Sequence, residues 1–238
     1  MATQFGLLSK LEFLQSWASV LIAGINPAIV HNIEKYYMLK KVHYLSAIED
    51  VDGDYLEFGV FTGSSFCHSI RCCKRLLKLN IKSTNTKFYG FDSFAGFGAM
   101  EEGDKHPFYT DENFSTSLSS VVRRVQRVAD GIKFQLIPGF FSDSLKNGPK
   151  QFGIEKSKII FIDSDTYSSS RDALNFCIPT LQEGTFIILD DYYSYRGSES
   201  RGVRRAFSEF VIRSNIKVRQ VFTYGMGGVV YLISEKLV

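Results

Sequence analysis

Several common site signatures are absent from this chain of 238 residues. Its four cysteines form no CxxC pair and its four histidines have no zinc-ligand spacing, which excludes the usual zinc sites. The pattern GxGxxG follows none of the apolar segments, so the dinucleotide-binding fingerprint is missing. A net charge of only +3 leaves no strong basic footprint for nucleic acid.

Long apolar runs are also lacking. Trp17–Ile25 is too short to cross a bilayer, which requires roughly 20 apolar residues, and no basic-then-apolar signal peptide opens the chain. All the cysteines fall on predicted helices, where we expect them to be reduced and packed in or near the core. We therefore expect a cytoplasmic protein without a membrane or nucleic-acid partner. The cysteines are Cys67, Cys72, Cys73 and Cys177.

What the chain does contain is a regular alternation of short apolar runs and amphipathic helices. Near-continuous apolar strands separated by helices are typical of a parallel sheet that is covered on both faces. Two final β-rich segments are joined by a glycine-rich turn at 224–228, which predicts an antiparallel hairpin. The fold class is therefore α/β, with a mostly parallel, seven-stranded sheet. The predicted strands are Tyr55–Val60, Phe88–Asp92, Lys133–Pro138, Ile159–Asp163, Thr185–Asp190, Val218–Tyr224 and Gly228–Ser234.

Two helices, over residues 6–23 and 28–49, precede the sheet and predict an N-terminal helical cap over residues 1–50. A single α/β domain would then occupy residues 51–238. Aromatic side chains of the cap, Phe13, Trp17 and Tyr36, would suit the interface of a homodimer. The apolar positions assigned to the second helix are Ile33, Tyr37, Val42, Leu45 and Ile48.

The residues that end the strands carry the chemistry, because ligands of open α/β sheets bind at the carboxyl ends of the strands. The first strand leads into Glu57-Phe58-Gly59-Val60-Phe61-Thr62-Gly63-Ser64-Ser65. Its two glycines let the backbone pass close to a ligand, and Ser64 or Ser65 can cap the next helix. The carboxylate of Glu57 favours a cationic sulfonium ligand with an amino-acid tail over a pyrophosphate. The alternative is a plain strand–helix turn.

A second acidic strand end lies 35 residues further on, at Asp92, which Ser93 follows. An acid at this place suits hydrogen bonding to the two hydroxyls of a ribose. A helix or turn cap is the alternative interpretation of Asp92.

Carboxylates also follow the fourth and fifth strands. Asp163 and Asp165 end one apolar run, and Asp190 and Asp191 end the next. Neighbouring strand ends lie ~5 Å apart, so Asp163, Asp190 and Asp191 can converge on a cation. An all-oxygen ligand set favours Mg²⁺, Mn²⁺ or Ca²⁺ over zinc, and such a metal could lower the pKa of a bound hydroxyl. Acids that only cap the following helices are the alternative.

Taken together, these segments resemble the TylF/MycF (macrocin O-methyltransferase-like) family of class I methyltransferases. The matching motifs are Glu57-Phe58-Gly59-Val60 with Gly63, Gly90-Phe91-Asp92-Ser93-Phe94, Gly139-Phe140-Phe141-Ser142-Asp143-Ser144-Leu145, and Ile162-Asp163-Ser164-Asp165-Thr166-Tyr167 followed by Asp190-Asp191-Tyr192. They cover roughly residues 54–213.

The resemblance implies S-adenosylmethionine as the methyl donor, Mg²⁺ (or Mn²⁺) held by Asp163, Asp190 and Asp191, and a hydroxyl of a sugar or nucleotide sugar as the acceptor. The same aspartates also resemble those of small catechol-type methyltransferases. The implied donor-binding residues are Glu57, Gly59, Val60, Gly63, Ser64, Ser65, Asp92, Ser93 and Asp163, with Gly139 and Asp143 near the adenosine.

The chain departs from the family pattern in two places. Ala95-Gly96-Phe97-Gly98 stands where the family tends to have Glu-Gly-Leu-Pro, and we expect the long loop over residues 93–113 to form a lid over the acceptor. No histidine follows His106, so a C-terminal histidine base is absent. The catalytic candidates are therefore Asp163, Asp165 and Asp191, with proton loss to water or a role for His106 left open.

Two other classes of function compete with the methyltransferase interpretation. A non-catalytic binding protein could retain the fold, although it would have no reason to keep the acidic strand ends. An NAD or nucleotide-sugar enzyme on a related sheet would require the missing GxGxxG pattern. Neither the acceptor nor the oligomeric state follows from the sequence.

Overall fold

The computed structural model of the chain describes residues 10–79, 81, 85–98, 100–109 and 114–237. The start of the first predicted helix (residues 6–9) and parts of the predicted lid (residues 99 and 110–113) lie outside the described residues.

Seven helices of the described chain connect or flank the strands. The helix that precedes the third strand begins at Leu118, after a segment in which Ala95 and Ser115 form an antiparallel β-bridge. The helices are α1 (Glu12–Ala23), α2 (Pro27–Ile48), α3 (Ser64–Lys78), α4 (Leu118–Ala129), α5 (Phe141–Ser144), α6 (Tyr167–Cys177) and α7 (Gly202–Ser214).

The strands form one seven-stranded sheet in the order β3-β2-β1-β4-β5-β7-β6. β1 to β5 pair in parallel, and β7 pairs antiparallel with both β5 and β6. The predicted α/β fold class and C-terminal hairpin are therefore confirmed. The strands are β1 (Asp54–Phe58), β2 (Phe88–Asp92), β3 (Phe134–Pro138), β4 (Ser157–Ile162), β5 (Phe186–Leu189), β6 (Ile216–Tyr224) and β7 (Gly228–Lys236).

Each face of the sheet has its own apolar core, because successive side chains of a strand point to opposite faces. Leu56 and Ile160 pack with α6 and α7, whereas Tyr55 and Ile159 pack with α2, α3 and α4. All four cysteines are free and buried, as expected.

The N-terminal cap divides into two unlike parts. α2 packs into the core through Met38, Leu39 and Val42, whereas none of the side chains of α1 is buried. The apolar positions named for this helix from the sequence divide between its two sides, since Val42 is buried whereas Ile33 and Tyr37 are 60% and 62% exposed. Apolar residues occur on both sides of this helix, so periodicity alone could not distinguish the buried side.

Among the described helices, none by itself has the length and hydropathy of a membrane span. α1 and α2 meet those criteria only as a pair, with a bend of 89° between them.

Candidate active site

A cavity of about 820 Å³ opens at the carboxyl ends of the parallel strands. It lies where β1 has β2 on one side and β4 on the other, which is the point of reversal where doubly wound sheets bind ligands. Its volume falls in the range of about 300–1,000 Å³ typical of small-molecule sites.

Gly59 allows the first strand to end directly against the fourth. Its φ is +94°, and a Cβ atom at this position would lie 1.7 Å from the carbonyl oxygen of Asp163. Only glycine combines this left-handed conformation with such a close approach. The loop after β1 and the aspartates after β4 are thereby held side by side in the cavity wall.

Asp92 is positioned by backbone hydrogen bonds at the end of β2. The N–H of Phe61 donates to its Oδ2 at 2.7 Å, and the N–H of Phe94 donates to its Oδ1 at 2.6 Å. Burial raises the pKa of Asp92, although these N–H donors lower it. Each oxygen keeps a second lone pair, so the carboxylate can still accept a hydroxyl hydrogen from the cavity that it lines.

Glu57 lies beneath the cavity wall and is completely buried. The hydroxyls of Tyr55 and Ser65 donate to its carboxylate, with Ser65 Oγ 2.6 Å from Oε1. Burial raises the pKa of Glu57 to about 7, against the opposing effect of these two hydroxyls. Its contact with the cavity is therefore indirect and runs through Ser65, which lines the wall.

The four aspartates after β4 and β5 converge on one side of the cavity, which all of them line. Carboxylate oxygens of Asp163, Asp190 and Asp191 lie within 4.8 Å of one another. Asp163 and Asp190 follow Ile162 and Leu189, which point away from α2. By strand alternation the two aspartates therefore point toward α2.

Two side chains of α2 meet these aspartates, and both were missed from the sequence. Lys35 Nζ lies 2.7 Å from Asp190 Oδ2 and 3.0 Å from Asp163 Oδ2. His31 Nε2 lies 3.3 Å from Asp190 Oδ2, while the N–H of Met226 donates to its Nδ1 at 3.2 Å. Both ring nitrogens of His31 are thus engaged, which leaves neither for a substrate proton. The available signal was spacing, because Lys35 belongs to the buried stripe of Met38, Leu39 and Val42, and His31 lies one turn before Lys35 on the same side of the helix.

The single positive charge of the Lys35 ammonium does not neutralise the four aspartates that converge here. Burial raises the pKa of Asp190, but Lys35 and His31 outweigh burial and hold that pKa below its usual value. Burial lowers the pKa of Lys35, yet Asp163 and Asp190 raise it further than burial lowers it. For Asp163, Asp165 and Asp191, burial and a neighbouring carboxylate together raise the pKa. The group therefore favours additional positive charge, either protons or a cation.

Asp165 has a strained backbone, with a φ of +61°. It shares a hydrogen bond with Asp191, and burial followed by the charge of Asp191 raises its pKa well above the usual value. A non-glycine residue in this conformation indicates a position that the surrounding structure enforces.

The described part of the loop over residues 93–113 forms one wall of the cavity through Phe97, His106, Phe108 and Tyr109. Asp104 fixes this loop to the start of α6, because its buried carboxylate accepts the N–H groups of Tyr167 and Ser168. The hydroxyl of Tyr109 donates to Asp191 Oδ1 at 3.1 Å. The loop thus connects directly to the aspartate group.

Most of the residues selected from the sequence line this cavity: Gly59, Val60, Ser64, Ser65, Asp92, Ser93, Asp163, Asp165, Asp190 and Asp191. Gly63 and Gly139 lie next to lining residues without lining the cavity themselves, and Glu57 lies beneath it. Asp143 is turned to solvent and pairs with Lys146 at 2.6 Å.

This arrangement of acids occurs in a chain with a clear family match. Residues 34–224 match the model of the macrocin-O-methyltransferase (TylF) family. The chain belongs to the TylF family. The matched region includes Lys35 and all the acidic strand ends described above.

Two characterised relatives have similar sequences. The mycinamicin III 3''-O-methyltransferase of Micromonospora griseorubida is 29% identical over 181 residues, which cover 70% of this chain and 66% of that protein. The 8-demethyl-8-(2,3-dimethoxy-alpha-L-rhamnosyl)-tetracenomycin-C 4'-O-methyltransferase of Streptomyces olivaceus is 28% identical over 178 residues, 70% of this chain and 64% of that protein. The chain thus matches just under two-thirds of the length of these relatives.

The fold of this TylF-family chain is also that of a solved O-methyltransferase. The structure of NovP superimposes with a TM-score of 0.68 at 22% identity, covering 84% of this chain and 79% of NovP. The class I methyltransferase fold expected from the sequence is therefore confirmed.

Proposed function

We propose that this chain is an S-adenosylmethionine-dependent O-methyltransferase that methylates a hydroxyl of a sugar or sugar-containing small molecule with the help of a divalent metal. The observation that carries the proposal is the meeting of two acidic groups in one cavity. Asp92 and the loop after β1 form one half, and the aspartates after β4 and β5 form the other.

The first half suits the donor. Asp92 is the acceptor for the ribose hydroxyls, because its two oxygens are already oriented by backbone N–H groups. Gly59, which lines the cavity, lets the loop after β1 lie directly against the backbone of Asp163 and so forms the floor of this half. Glu57 holds the hydroxyl of Ser65, which lines the cavity, and so orients the start of α3 beside the amino-acid tail of the donor.

The second half fits an oxygen-preferring divalent cation. Asp163, Asp190 and Asp191 offer carboxylate oxygens at mutual distances that one ion can bridge. The ammonium of Lys35 already lies between two of them and marks the place where positive charge is stabilised. We assign these three aspartates as the metal ligands. When bound, Mg²⁺ or Mn²⁺ would supply Lewis-acid lowering of the pKa of the acceptor hydroxyl.

Asp165 is the residue that we assign as proton acceptor. An acid with a raised pKa is a stronger base once ionised than an ordinary aspartate. Asp165 lines the cavity, whereas both nitrogens of His31 are engaged.

The cavity wall favours an uncharged acceptor over a nucleotide sugar. Of the described residues that line it, Lys35 is the only lysine or arginine, and Asp163 and Asp190 already engage it. Recognition of the phosphates of a nucleotide sugar would require unpaired cationic side chains, and the helix N-terminus that faces the cavity, that of α3 at Ser64, lies in the donor half. The aromatic side chains of Phe97, Phe108 and Tyr193 instead offer apolar faces for a sugar ring. The rhamnosyl group in the name of the Streptomyces relative supports the same acceptor class.

The first experiment measures binding of S-adenosylmethionine by calorimetry. The expected result is that the wild type binds, that Asp92→Asn binds at least tenfold more weakly, and that Asp130→Asn binds normally. Asp130 is an exposed aspartate that pairs with Lys74, away from the cavity. No binding to the wild type would overturn the proposed function.

The second experiment tests the acceptor and the metal by mass spectrometry. Incubation with S-adenosylmethionine, Mg²⁺ and panels of glycosylated small molecules, nucleotide sugars and catechols should add 14 Da only to members of the first panel. EDTA should stop the reaction, and Mn²⁺ or Mg²⁺ should restore it. Methylation confined to catechols would refute the acceptor class, and activity insensitive to EDTA would refute the metal.

A further inference from the structure

Residues 101–109, part of the loop between β2 and α4, contact the segments that follow β4 and β5. A short 3₁₀ turn, Glu102–Asp104, places Asp104 against the start of α6. Tyr109, at the other end, reaches Asp191 after β5. This 101–109 segment is therefore attached at both ends to the side of the cavity that carries the aspartates.

Asp104 holds the first end from within the core. It is 1% exposed, and its Oδ1 accepts the N–H of Tyr167 at 2.8 Å while its Oδ2 accepts the N–H of Ser168 at 3.3 Å. The first N–H groups of a helix have no partner within that helix. Thr166, the residue before α6, accepts the N–H of Ser169. Asp104 thus completes the cap of α6 from a distant part of the chain.

Tyr195 supports the same end from the segment after β5. Its hydroxyl donates to the carbonyl oxygen of Asp104 at 2.7 Å. Tyr195 is buried and has a φ of +56°, and its ring lies so close to Gly202 that a Cβ atom there would be 2.4 Å away. A buried tyrosine in this backbone conformation marks a position that the surrounding structure enforces. Both the side chain and the backbone of Asp104 are therefore fixed by other elements.

Tyr109 carries the other end of the segment to Asp191. It is buried, and its ring stacks on that of His106 with 4.3 Å between the centroids. Its hydroxyl donates to Asp191 Oδ1 at 3.1 Å, and Ser194 Oγ lies 2.7 Å from that hydroxyl and 3.2 Å from the same Oδ1. Ser194 can donate to Tyr109 while Tyr109 donates to Asp191, and a chain of this kind strengthens each hydrogen bond. The Asp191 carboxylate is thereby held in one rotation.

The two adjacent aspartates after β5 are oriented in different ways. Asp190 accepts the hydroxyl of Tyr224 on Oδ1 and contacts the ammonium of Lys35 through Oδ2. Asp191 faces the hydroxyls of Tyr109 and Ser194. Groups that hydrogen-bond to a metal ligand orient it, and their loss typically weakens metal binding by about 10–100-fold.

We propose that Tyr109 is a positioning residue for the metal ligand Asp191 and that Asp104, by fixing the 101–109 segment, positions Tyr109. The proposal rests on the function proposed above, because it takes Asp191 as a metal ligand. Both residues lie in the loop that departs from the family pattern and forms one wall of the cavity. The loop that contacts the acceptor therefore also sets the affinity of the metal site.

The test measures binding of Mn²⁺ to the full chain by electron paramagnetic resonance, in which free Mn²⁺ gives a sharp signal that bound Mn²⁺ does not. Tyr109→Phe removes the hydroxyl and keeps the ring. Tyr89→Phe is the matched control, because Tyr89 is also buried and its hydroxyl donates to the carbonyl oxygen of Phe152 at 3.1 Å, outside the cavity. Circular dichroism verifies the fold of each variant, and calorimetry with S-adenosylmethionine verifies its donor half.

Tyr109→Phe should bind Mn²⁺ about 10–100-fold more weakly than the wild type, whereas Tyr89→Phe should bind it normally. Both variants should bind S-adenosylmethionine with the affinity of the wild type. Equal Mn²⁺ affinities of the two variants would overturn the proposal. A parallel loss of Mn²⁺ and S-adenosylmethionine binding in Tyr109→Phe would also overturn it, because the hydroxyl would then support the whole cavity and not Asp191.

A double-mutant cycle tests the role of Asp104. Asp104→Asn should weaken Mn²⁺ binding by itself but add little to Tyr109→Phe, because it acts through Tyr109, and Asp130→Asn should have no effect. Additive effects would overturn the role assigned to Asp104. A wild type that binds S-adenosylmethionine but no Mn²⁺ would refute the proposed metal and this inference with it. A wild type that binds Mn²⁺ no more tightly than Tyr109→Phe would refute this inference alone.

Discussion

Replacing Glu57 with Gln tests the electrostatics of the donor half of the cavity. Burial raises the pKa of this carboxyl from its usual value of 4.5 to about 7 in the folded chain. Between those two values the unfolded chain has released the proton and the folded chain has retained it. Because the folded state then binds more protons, stability falls as the pH rises through this window.

The size of the effect follows from the width of the window. A pKa difference of about 2.5 units corresponds to about 3 kcal/mol, at about 1.4 kcal/mol for each unit. Below pH 4.5 the carboxyl is neutral in both states and contributes no pH dependence. Above pH 7 it is charged in both states, and the full loss of about 3 kcal/mol persists.

Chemical denaturation of the wild type and Glu57→Gln from pH 4 to 8.5 measures this directly. The amide is neutral throughout, so the difference in unfolding free energy between the two proteins should shift by about 3 kcal/mol in favour of the variant across the window. Altered hydrogen bonds with Tyr55 and Ser65 would change the difference in unfolding free energy by the same amount at every pH, so its dependence on pH would stay the same. Glu155→Gln, at an exposed position, is the matched control. If the unfolding free energies of the wild type and Glu57→Gln change in parallel with pH, burial does not raise the pKa of Glu57.

Three other substitutions test the rest of the cavity. Asp165→Asn should lower kcat by about 10²–10⁴-fold, as expected for a general base, with unchanged calorimetric affinity for S-adenosylmethionine; an effect as small as that of Asp130→Asn would exclude Asp165 as the base. Lys35→Met should lower the free energy of unfolding in EDTA by about 3–5 kcal/mol, because the carboxylates lose their internal cation. In thermal denaturation, Mg²⁺ should raise Tm more in this variant than in the wild type, and equal rises in the two proteins would contradict this. Gly59→Ala should cost about 3 kcal/mol or more in urea denaturation, because its Cβ would meet the carbonyl oxygen of Asp163; a loss under about 1 kcal/mol would mean that the two strand ends can separate.

The sheet and its acidic strand ends could be predicted from the sequence because both are local patterns. Each parallel strand is a short apolar run, and the residue that follows it faces the ligand edge of the sheet. Recognising the strands was therefore enough to predict that Asp92, Asp163 and Asp190 lie at the ligand-binding edge of the sheet. Glu57 shows the limit of this reasoning, because position at a strand end did not reveal that Tyr55 and Ser65 would enclose it.

Lys35 and His31 could not be placed in the same way, because their partners are distant in sequence. Lys35 and Asp163 are separated by 128 residues, and only the packing of α2 on the sheet brings them together. A lysine among apolar residues at helical spacing resembles an exposed position that interrupts a buried stripe. Lys35 is nevertheless buried, because a buried ammonium is stable when carboxylates such as those of Asp163 and Asp190 surround it.

The two faces of α2 explain why its orientation could not be predicted from the sequence. The inner face directs Lys35 and His31 at the aspartates, while the outer face presents Ile29 and Ile33 to solvent. The usual polarity of a surface helix is thus partly inverted, because charged side chains face the site and apolar side chains face solvent, so hydrophobic periodicity cannot identify the inner face.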